Sequence, residues 1–439
     1  MGIKVIESDL SKHPKCPHGP TLLFTRTGEE DKPFFACSAC RDRKDCEFFL
    51  WQSEYDMFSK AKNKYWEGQA KKYLRGVDHE NLYSVYEAVS EMPENERMFC
   101  KDCSVMQLDI DKVKHQKCNT VFGVSDDQMK RPTEMFQPLE NDKTEAQYLF
   151  TKDTVKTIVE ILRKQNLTKV LCIGAPRIHE HIANEREDMK SMLLDLDRRF
   201  HNFYGPKEFC WYNSFNNHFF SEEAKTHFRE FLTLSSEEKL VIVTDPPFGG
   251  RVEPLAATFK SINKLQQEIN GNDADTPILW IYPYFMEPMI LGSFPDFHMC
   301  DFKVDYDNHT LFTVGPKGRK KGSPVRIFTN LKPEAINLSG EDGYKHCETC
   351  KRWVSAENRH CAECGACTSK DGSTYNHCLH CKRCVKESWK HCNACNRCAF
   401  VEHRCGQFEE IVRESKKRPI QQSKRSMQKK KRRFNNKND

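Results

Sequence analysis

The sequence predicts an α/β protein in which a mostly parallel sheet, with helices on both faces, is flanked by small modules rich in cysteine and histidine. Between residues 140 and 335, apolar strand patterns alternate with amphipathic helix patterns, which is the arrangement of a parallel sheet with crossover helices. Outside this region, most of the 22 cysteines stand in clusters with histidine. A chain of 439 residues is long enough for one sizeable core and several smaller modules.

The N-terminus carries no apolar run of signal-peptide length, and no window of the chain has the composition of a transmembrane span. We therefore expect a soluble protein in a reducing compartment, with no membrane partner. In such a compartment, Cys-x-x-Cys pairs bind metal more often than they form disulfides.

Charge is distributed unevenly along the chain. The net charge is +6, but residues 416–439 carry eleven Lys and Arg against one acid, so the rest of the chain has a net charge of −4. The tail is also poor in apolar residues, and we expect it to be disordered. Basic runs of this kind serve nuclear or nucleolar targeting, non-specific binding to RNA, or both.

Residues 1–54 contain the first predicted metal module. Cys16-x-His18, Cys37 and Cys46 supply three sulfurs and one imidazole, a closed tetrahedral set for structural zinc, and Cys40 could replace one of them. The Cys-x-His start and the Cys-x-Phe-Phe-x-Trp ending resemble a GRF-type zinc finger, although Asp-Lys-Pro-Phe-Phe stands in place of its Gly-Arg-x-Phe segment. We expect the aromatic residues of this ending to pack within the module rather than to stack on bases.

A helical linker and a second metal module follow. Residues 55–95 show a helical pattern of apolar side chains among many charges. Residues 96–125 contain a Cys₃His set with the spacing of a zinc finger, and in a module this small the metal replaces a core, so zinc loss should unfold it. The predicted ligands are Cys100, Cys103, His115 and Cys118.

The central region, residues 140–335, begins with a predicted helix over 151–165 and continues with strand patterns. The strand candidates are 169–174, 192–197, 208–213, 240–244, 277–282, 302–306 and 324–328. A Gly-Pro-Lys-Gly sequence joins the last two candidates, which predicts that they close the sheet as an antiparallel pair.

Four of these strand patterns end in residues suited to holding a ligand. Gly174 ends the first, where close backbone approach needs a residue without a side chain. An Asp-Leu-Asp sequence ends the second and offers carboxylates to ribose hydroxyls, and Asn213 ends the third. Asp-Pro-Pro-Phe follows the fourth as a stiff loop, because each proline fixes its own backbone and restricts the residue before it. Ligands bind at this carboxyl edge of open α/β sheets.

This order of strand ends resembles a Rossmann-like, class I S-adenosylmethionine-dependent methyltransferase. In place of the usual run of glycines after the first strand, Arg177 offers a charged partner for the cofactor carboxylate. Strand-end packing or capping would explain any one of these residues taken alone. The implied cofactor-binding residues are Gln147, Tyr148, Leu149, Phe150, Gly174, Arg177, Asp195, Asp197, Asn213, Ser214 and Asp245. The implied catalytic residues are Asp245, Pro246, Pro247 and Phe248.

The Asp-Pro-Pro-Phe loop is suited to methylating an exocyclic amine, and adenine N6 is the expected acceptor. The lone pair of that nitrogen is delocalised into the ring. Hydrogen bonds to Asp245 and to the Pro246 carbonyl can turn it toward the methyl group, while Phe248 stacks on the base. A duplex hides this nitrogen, so the target must be unpaired or flipped out.

Residues 344–408 contain a repeated template, His-Cys-x₂-Cys-x₂-Cys. The ligand density predicts three zinc ions, or four if every histidine binds; redox pairs and palmitoylation are the alternatives. Interleaved and sequential allocations both fit the spacing. The end resembles a CCHC zinc knuckle with a shortened last spacing, which favours single-stranded RNA as a ligand. The candidate ligands are Cys347, Cys350, His360, Cys361, Cys364, Cys367, His377, Cys378, Cys381, Cys384, His391, Cys392, Cys395, Cys398, His403 and Cys405.

Taken along its full length, the chain resembles the CCHC-domain zinc-finger rRNA N6-adenosine methyltransferases of eukaryotes. The resemblance implies N6-methyladenosine in large-subunit ribosomal RNA as the product. It also implies a monomer in the nucleus or nucleolus, with the cytoplasm as a further location and other RNA-processing proteins as partners. The alternatives are an enzyme acting on another RNA, on DNA adenine or on a protein amide, and a zinc-finger RNA-binding protein whose methyltransferase fold has decayed.

Overall fold

The computed structural model describes residues 3–40, 45–55, 60–111, 113–137, 148–308, 322–338, 340, 342–403 and 405. The chain divides into two compact units, of which the larger comprises residues 2–358 and 370–372 and the smaller comprises residues 359–369 and the chain from 373 onward. The predicted cofactor contact of Gln147 and the predicted disordered tail 416–439 lie outside the described residues. No helix of the described part is both long and apolar enough to cross a membrane.

The first module of the larger unit is an antiparallel sheet with a buried core. Its described strands, in spatial order, are Ile3–Ile6, Leu22–Arg26, Glu29–Ala36 and Phe49–Trp51, and a small hairpin pairs Lys15–Cys16 with Gly19–Pro20. The aromatic ending packs within the module, since the Phe49 ring lies 5.1 Å from that of Phe34 and 4.9 Å from that of Trp51. Short 3₁₀ turns span Leu10–Lys12 and Gln52–Glu54.

The predicted linker forms two helices, Lys60–Tyr73 and His79–Ser90. They are separated at Gly76, whose φ of 80° is left-handed, and the Asp78 side chain caps the second helix by accepting a hydrogen bond from the Asn81 amide at 3.2 Å. The second metal module follows as a small antiparallel sheet and two short helices. Its elements are the 3₁₀ turns Glu94–Glu96 and Asp109–Asp111, strands Met98–Cys100, Val105–Gln107 and Thr120–Phe122, and helices Asp126–Met129 and Pro132–Met135.

The central domain contains a large mixed sheet between two layers of helices. Its described strands are β1 Lys169–Ile173, β2 Lys190–Asp195, β3 Phe209–Asn213, β4 His218–Phe219, β5 Leu240–Thr244, β6 Ile278–Pro283, β7 His298–Cys300 and β8 Val325–Thr329. Its described helices are α1 Lys152–Lys164, α2 Pro176–Glu185, α3 Glu222–Leu232, α4 Val252–Asn270 and α5 Glu287–Ser293. Further 3₁₀ turns span Arg198–Asn202, Tyr284–Met286 and Pro333–Ala335.

The spatial order of the described strands is β4-β3-β2-β1-β5-β6-β8-β7. Strands β3, β2, β1, β5 and β6 run parallel, whereas β4 pairs antiparallel with β3, and β8 pairs antiparallel with both β6 and β7. The chain moves outward from β1 in one direction with β2 and β3, and in the other with β5 and β6. Open α/β sheets bind ligands at such a reversal, outside the carboxyl ends of the strands.

The sheet is buried on both faces, which explains why its central strands are continuously apolar rather than alternating. Alternate residues of β1 point to opposite faces: Val170 and Cys172 join the core beneath α1 and α2, whereas Leu171 and Ile173 join the core beneath α3, α4 and α5. All five residues of β1 are buried. The predicted α/β fold class is therefore confirmed.

The predicted strand over 302–306 was wrong. The antiparallel partner of β8 at this edge is β7, which ends at Cys300. Phe302 and Val304 are buried at alternate positions and so mimic a strand pattern, but they pack into the core from an irregular segment. Only Tyr306 forms a β-bridge here, and its partner is Phe150 rather than a residue of β8.

The Cys/His-rich region is a series of small hairpins. In the smaller unit the described hairpins pair His360–Cys361 with Ala366–Cys367, Tyr375–Cys378 with Arg383–Lys386, and Trp389–Cys392 with Arg397–Phe400. The larger unit contains a similar hairpin, Tyr344–Cys347 with Arg352–Ser355. In each case the first strand ends at the first cysteine of a Cys-x₂-Cys pair, so the turn of the hairpin presents both sulfurs.

Candidate active site and zinc centres

The pairing of β1 with β5 places the two most informative strand ends side by side. Ile173 is the register partner of Thr244, and the Asp245 amide donates to the Ile173 carbonyl at 3.1 Å. Gly174 adopts a φ of 63°, and a Cβ at this position would lie 3.1 Å from the Asp245 carbonyl oxygen. Glycine was predicted here for the close approach of a ligand, whereas the left-handed φ and the nearby Asp245 carbonyl already favour glycine without one.

A cavity of about 370 Å³ opens at the carboxyl ends of β1, β2, β3 and β5. A small-molecule cofactor site has this size and position. The predicted residues that line it are Tyr148, Leu149, Gly174, Arg177, Asp195, Asp197, Asn213, Ser214, Asp245, Pro246 and Pro247. Another part of the wall was not predicted from the sequence; it comprises Thr133, Glu134, Phe136, Arg199, Phe200, Tyr212, Phe215 and Asn308. Those from 133–136 belong to the second zinc module's C-terminal extension, and their local sequence gives no sign of this position.

Asp195 and Asp197 have different surroundings. Asp197 is buried and forms a salt bridge to Arg199, with Nη2 of the arginine 2.6 Å from Oδ2 and Nε 2.9 Å from Oδ1. It also caps the following 3₁₀ turn through the Arg199 amide at 3.0 Å. Asp195, in contrast, accepts from the Asp197 amide at 2.9 Å and lines the cavity at the end of β2. Asp195 is therefore the better-placed acceptor for ribose hydroxyls.

Asp195 also has a perturbed acidity. Burial raises its pKa to about 7, and the negative charge of Asp197 raises it further in the same direction. A hydrogen-bond donor from a ligand would favour the ionised form and offset this cost. The carboxyl therefore changes protonation near neutral pH.

Arg177 occupies the cavity wall but has protein partners. Its Nη1 donates to the Asp307 carboxylate and to the Phe150 carbonyl, and its Nε lies 3.4 Å from Thr133 Oγ1. These contacts join α2 to the three segments that contain Thr133, Phe150 and Asp307. A cofactor carboxylate approaching Arg177 would share the guanidinium with Asp307.

Asn213 and Asn216 connect β3 to the first zinc module. Asn213 Nδ2 donates to the His18 carbonyl and to Ser38 Oγ, both at 2.9 Å, and Asn216 Nδ2 donates to the His18 and Pro20 carbonyls at 3.1 and 2.7 Å. The amide of Asn213, which was predicted to bind the cofactor, is thus directed toward the module. The sequence could not indicate this, because the partners are about 195 residues away along the chain.

Asp245 is deeply set at the end of β5. Burial raises its pKa well above the usual range, the Tyr306 hydroxyl lowers it by donating to Oδ1 at 2.9 Å, and the charge of Asp195 raises it. The loop that follows is held as a turn, because the Gly250 amide donates to the Pro247 carbonyl at 2.7 Å and the Tyr282 hydroxyl donates to the Gly250 carbonyl at 2.8 Å. Tyr282 and Tyr306 were not predicted as site residues, because both fall in apolar patterns that predict strands.

Phe248 lies among three tyrosines. The ring of Tyr148 is nearly parallel to it, at 17° and 6.4 Å between centroids, while Tyr282 and Tyr306 present edges at 6.2 and 5.8 Å. Tyr148 is 40% exposed. A partly exposed aromatic surface beside a half-buried carboxylate suits a flat heterocycle bearing an amino group, because stacking fixes the plane of the ring and the carboxylate accepts from its amine.

The first predicted zinc set converges in the structure. The ligand atoms of Cys16, His18, Cys37 and Cys46 all lie within 4.8 Å of one another, with Cys37 Sγ 3.4 Å from His18 Nδ1. Cys40 Sγ lies 3.9 Å from the same nitrogen, and its amide is directed at Cys37 Sγ at 3.4 Å. Three thiolates and one imidazole at these separations fit structural zinc.

The second predicted set, Cys100, Cys103, His115 and Cys118, also converges within 4.8 Å. His115 Nδ1 is buried and has no hydrogen-bond partner among the described residues, as expected of an atom that binds metal. Ser104, directly after the second cysteine, has a left-handed φ of 56°. Lys351, Gly365, Lys382 and Asn396 follow the second cysteine of their own Cys-x₂-Cys pairs and share this conformation.

The smaller unit contains interleaved metal sets. His377 lies with the two cysteines of the preceding hairpin and with one cysteine that follows it, and its Nδ1 is 3.3 Å from Cys364 Sγ. His391 is placed in the same way one repeat later, with its Nδ1 3.3 Å from Cys381 Sγ. The sets are Cys361, Cys364, His377 and Cys384, and Cys378, Cys381, His391 and Cys398. A third group joins Cys392, Cys395, His403 and Cys405, with Cys405 Sγ 3.1 Å from His403 Nε2. The interleaved scheme is therefore the one the structure adopts here.

The remaining four candidates repeat a spacing found in this unit. Cys347, Cys350, His360 and Cys367 follow the pattern Cys-x₂-Cys-x₉-His-x₆-Cys, which is also that of Cys378, Cys381, His391 and Cys398. His360 and Cys367 are register partners in their hairpin.

Comparisons with known proteins agree with this geometry. A family described as probable N6-adenine methyltransferase matches residues 141–330, and the GRF zinc finger family matches residues 14–55. S-adenosylmethionine is accordingly the methyl donor, and zinc is the structural metal. The cavity of about 370 Å³ is large enough for a small-molecule cofactor, and Asp195 in its wall can accept hydrogen bonds from the ribose of S-adenosylmethionine.

Three relatives that share one name with each other align with most of the chain. The chain is 44% identical over 371 residues to the rRNA N(6)-adenosine-methyltransferase ZCCHC4 of Homo sapiens, covering 82% of this chain and 72% of that protein. It is 44% identical over 372 residues to the protein of that name from Xenopus tropicalis, with 82% and 76% covered, and 45% identical over 359 residues to that from Mus musculus, with 79% and 70% covered. The chain therefore belongs to the rRNA N6-adenosine-methyltransferase family.

Proposed function

We propose that this protein transfers a methyl group to N6 of an adenosine in large-subunit ribosomal RNA. The observation that carries the proposal is the half-buried carboxylate of Asp245, which lines the cofactor cavity and belongs to the same Asp-Pro-Pro-Phe loop as the aromatic ring of Phe248. The names of the relatives supply the class of RNA, and the family resemblance supplies the large subunit.

The chain's contribution to the reaction is positioning. Asp245 and the Pro246 carbonyl accept hydrogen bonds from the adenine amino group, which turns the nitrogen lone pair out of conjugation. Phe248 holds the base plane, so that the amino group is positioned for transfer. S-adenosylmethionine supplies a methyl group that its sulfonium already activates for displacement.

An RNA substrate fits the rest of the chain. Adenine N6 is paired in a duplex, so the enzyme requires an unpaired or extruded adenosine. The zinc modules and the eleven basic residues of 416–439 offer contacts to a polymer rather than to a free nucleoside. The basic tail also supports a nuclear or nucleolar location, with the cytoplasm as a secondary one. In the nucleus the enzyme would meet other RNA-processing proteins. We propose that it works as a monomer.

The direct test is incubation of the purified chain with labelled cofactor and total RNA, followed by nucleoside analysis and mapping of the modified position. We expect label in N6-methyladenosine of large-subunit ribosomal RNA. Asp245→Ala should lower the rate by about 100-fold or more, because it removes the acceptor of the amino group.

The matched control is Asp296→Ala, which removes an exposed carboxylate of the same domain and should leave turnover unchanged. Label in DNA or protein in place of RNA would contradict the proposed substrate. Failure of the wild-type chain to bind the cofactor in isothermal titration would instead indicate a decayed enzyme.

A further inference from the structure

We propose that Tyr306 is a positioning residue for methyl transfer, holding Asp245 with Oδ1 engaged so that Oδ2 is the acceptor presented to the substrate amino group. The inference rests on the proposed function, since it assigns a geometry to the same carboxylate. It adds a residue that does not itself line the cofactor cavity but acts through Asp245, which does.

The contact between the two side chains is direct and enclosed. The Tyr306 hydroxyl donates to Asp245 Oδ1 at 2.9 Å, and Tyr306 is only 3% exposed. Asp245 is one residue beyond β5, whereas Tyr306 is six residues beyond β7. The bond therefore joins the catalytic loop to a separate segment of the chain.

That segment is itself fixed by backbone pairing. Tyr306 forms a β-bridge with Phe150, and the neighbouring pairs donate on either side: the Asp307 amide to the Leu149 carbonyl at 2.9 Å, and the Thr151 amide to the Asp305 carbonyl at 3.0 Å. The tyrosine ring also packs against the ring of Phe150 at 5.2 Å. A hydroxyl on such a support has little freedom to follow a rotating carboxylate, so it sets the orientation of Asp245.

The charged groups around Asp245 and Tyr306 bear on the ionisation of the Asp245 carboxylate. Burial raises the pKa of Tyr306, and the charges of Asp245 and then of Asp305, which pairs with Lys303 at 3.2 Å, raise it further. Burial also raises the pKa of Asp245, and the charge of Asp195 adds to this. Arg177 donates to Asp307 and to the Phe150 carbonyl. A hydrogen bond from Tyr306 favours the ionised carboxylate that must accept from the amine, and it does so without placing a cation beside the methyl sulfonium.

The test compares Tyr306→Phe with the wild-type chain in RNA methylation across pH 6 to 9. We expect kcat to fall by about 10- to 100-fold, because a buried charged group loses a donor, while KM for RNA and for cofactor changes less than about threefold. The acidic limb of the pH–rate profile should move to higher pH by about one unit, since loss of the donor raises the pKa of Asp245.

A second variant and a control separate orientation from folding. A fluorinated tyrosine at position 306 keeps the ring in place and strengthens the donor, so it should move the limb to lower pH. Tyr204→Phe removes another buried hydroxyl of this domain, one without a hydrogen-bond partner among the described residues, and should match the wild-type chain.

The outcomes distinguish this inference from the proposed function. A wild-type chain that methylates RNA adenosine, together with Tyr306→Phe and fluorotyrosine variants whose kcat and pH limb match it, would overturn the role of Tyr306 alone. A wild-type chain without RNA methylation would overturn the proposed function. A Tyr306→Phe chain whose loss lies entirely in KM would likewise count against positioning.

Discussion

Two carboxylates at the end of β2 illustrate how neighbouring residues of one type acquire different roles. Both carboxylate oxygens of Asp197 contact Arg199, and the pair fixes the turn after the strand. Asp195 lines the cavity instead and has a pKa of about 7, chiefly because it is buried. The first stabilises the wall of the site, and the second is placed to bind ribose.

Asp195 should make cofactor binding pH-dependent. Its pKa is raised, so the carboxyl is mostly protonated at pH 6 and mostly ionised at pH 8. The ionised form accepts hydrogen bonds through both oxygens, so the affinity for S-adenosylmethionine should rise over this interval. Asp195→Asn should bind roughly 10-fold more weakly at pH 8 and show a shallower pH dependence.

Isothermal titration at pH 6, 7 and 8 measures this effect, with the exposed Asp296→Asn as the control. If Asp195→Asn kept the wild-type affinity and the wild-type pH dependence, the ribose would have to be held elsewhere.

At the scale of elements, the β3–β4 hairpin both bounds the cofactor cavity and holds the first zinc module. Asn213 and Asn216 donate to the carbonyls of His18 and Pro20, on either side of Gly19. Gly19 in that turn has a φ of 97°, and a Cβ there would lie 2.5 Å from the His218 side chain, so the module and β4 fit closely. Zinc binding and the cavity wall thus share a set of hydrogen bonds.

Asn216→Ala tests this connection. Asn216 is 3% exposed, and its loss removes the donor to the Pro20 carbonyl and one of the two side-chain donors to the His18 carbonyl, so we expect the free energy of unfolding to fall by about 1–3 kcal/mol. Urea denaturation measures the change, and a chelator should extract zinc from the first module faster. Asn63→Ala, on an exposed helix face, should stay within about 0.5 kcal/mol of the wild-type chain. Equal denaturation midpoints for the two variants would contradict the connection.

At the scale of the whole molecule, positive charge is concentrated at the C-terminal end of the sequence. The chain has a net charge of +6, to which residues 416–439 contribute +10 and the other residues −4. We therefore expect residues 1–415 to bind RNA through local surfaces, and residues 416–439 to add an affinity that depends on salt rather than on sequence.

Deletion of residues 416–439 should reduce the salt dependence of RNA binding by several units of slope, because fewer counterions are released. Methylation of RNA at saturating concentration should persist. Filter binding at several salt concentrations measures the slope, and imaging of the tagged chain should show weaker nuclear and nucleolar accumulation. An unchanged slope would mean that the tail does not contact RNA, and unchanged imaging would place the targeting signal elsewhere.

The sequence by itself determined the features that depend on local pattern. Buried strands read as apolar runs, the prolines of Asp-Pro-Pro-Phe marked a stiff loop, and Cys/His spacing marked the metal modules, because each signal spans only a few residues. The order of the strand ends was enough to place Gly174, Asp195 and Asp245 around one cavity.

Only the tertiary structure decided which atoms meet across long separations. Tyr306 reaches Asp245 from 61 residues away, Arg177 pairs with Asp307 across 130, and Asn213 turns to His18 across 195. No local pattern encodes such pairs. The interleaving of His377 and His391 was undecided for the same reason, since spacing permits several chelates and only the folded hairpins bring one set of sulfurs together. The Asp-Pro-Pro-Phe loop was thus visible in the sequence, whereas the hydrogen bonds that orient its carboxylate arise from the fold.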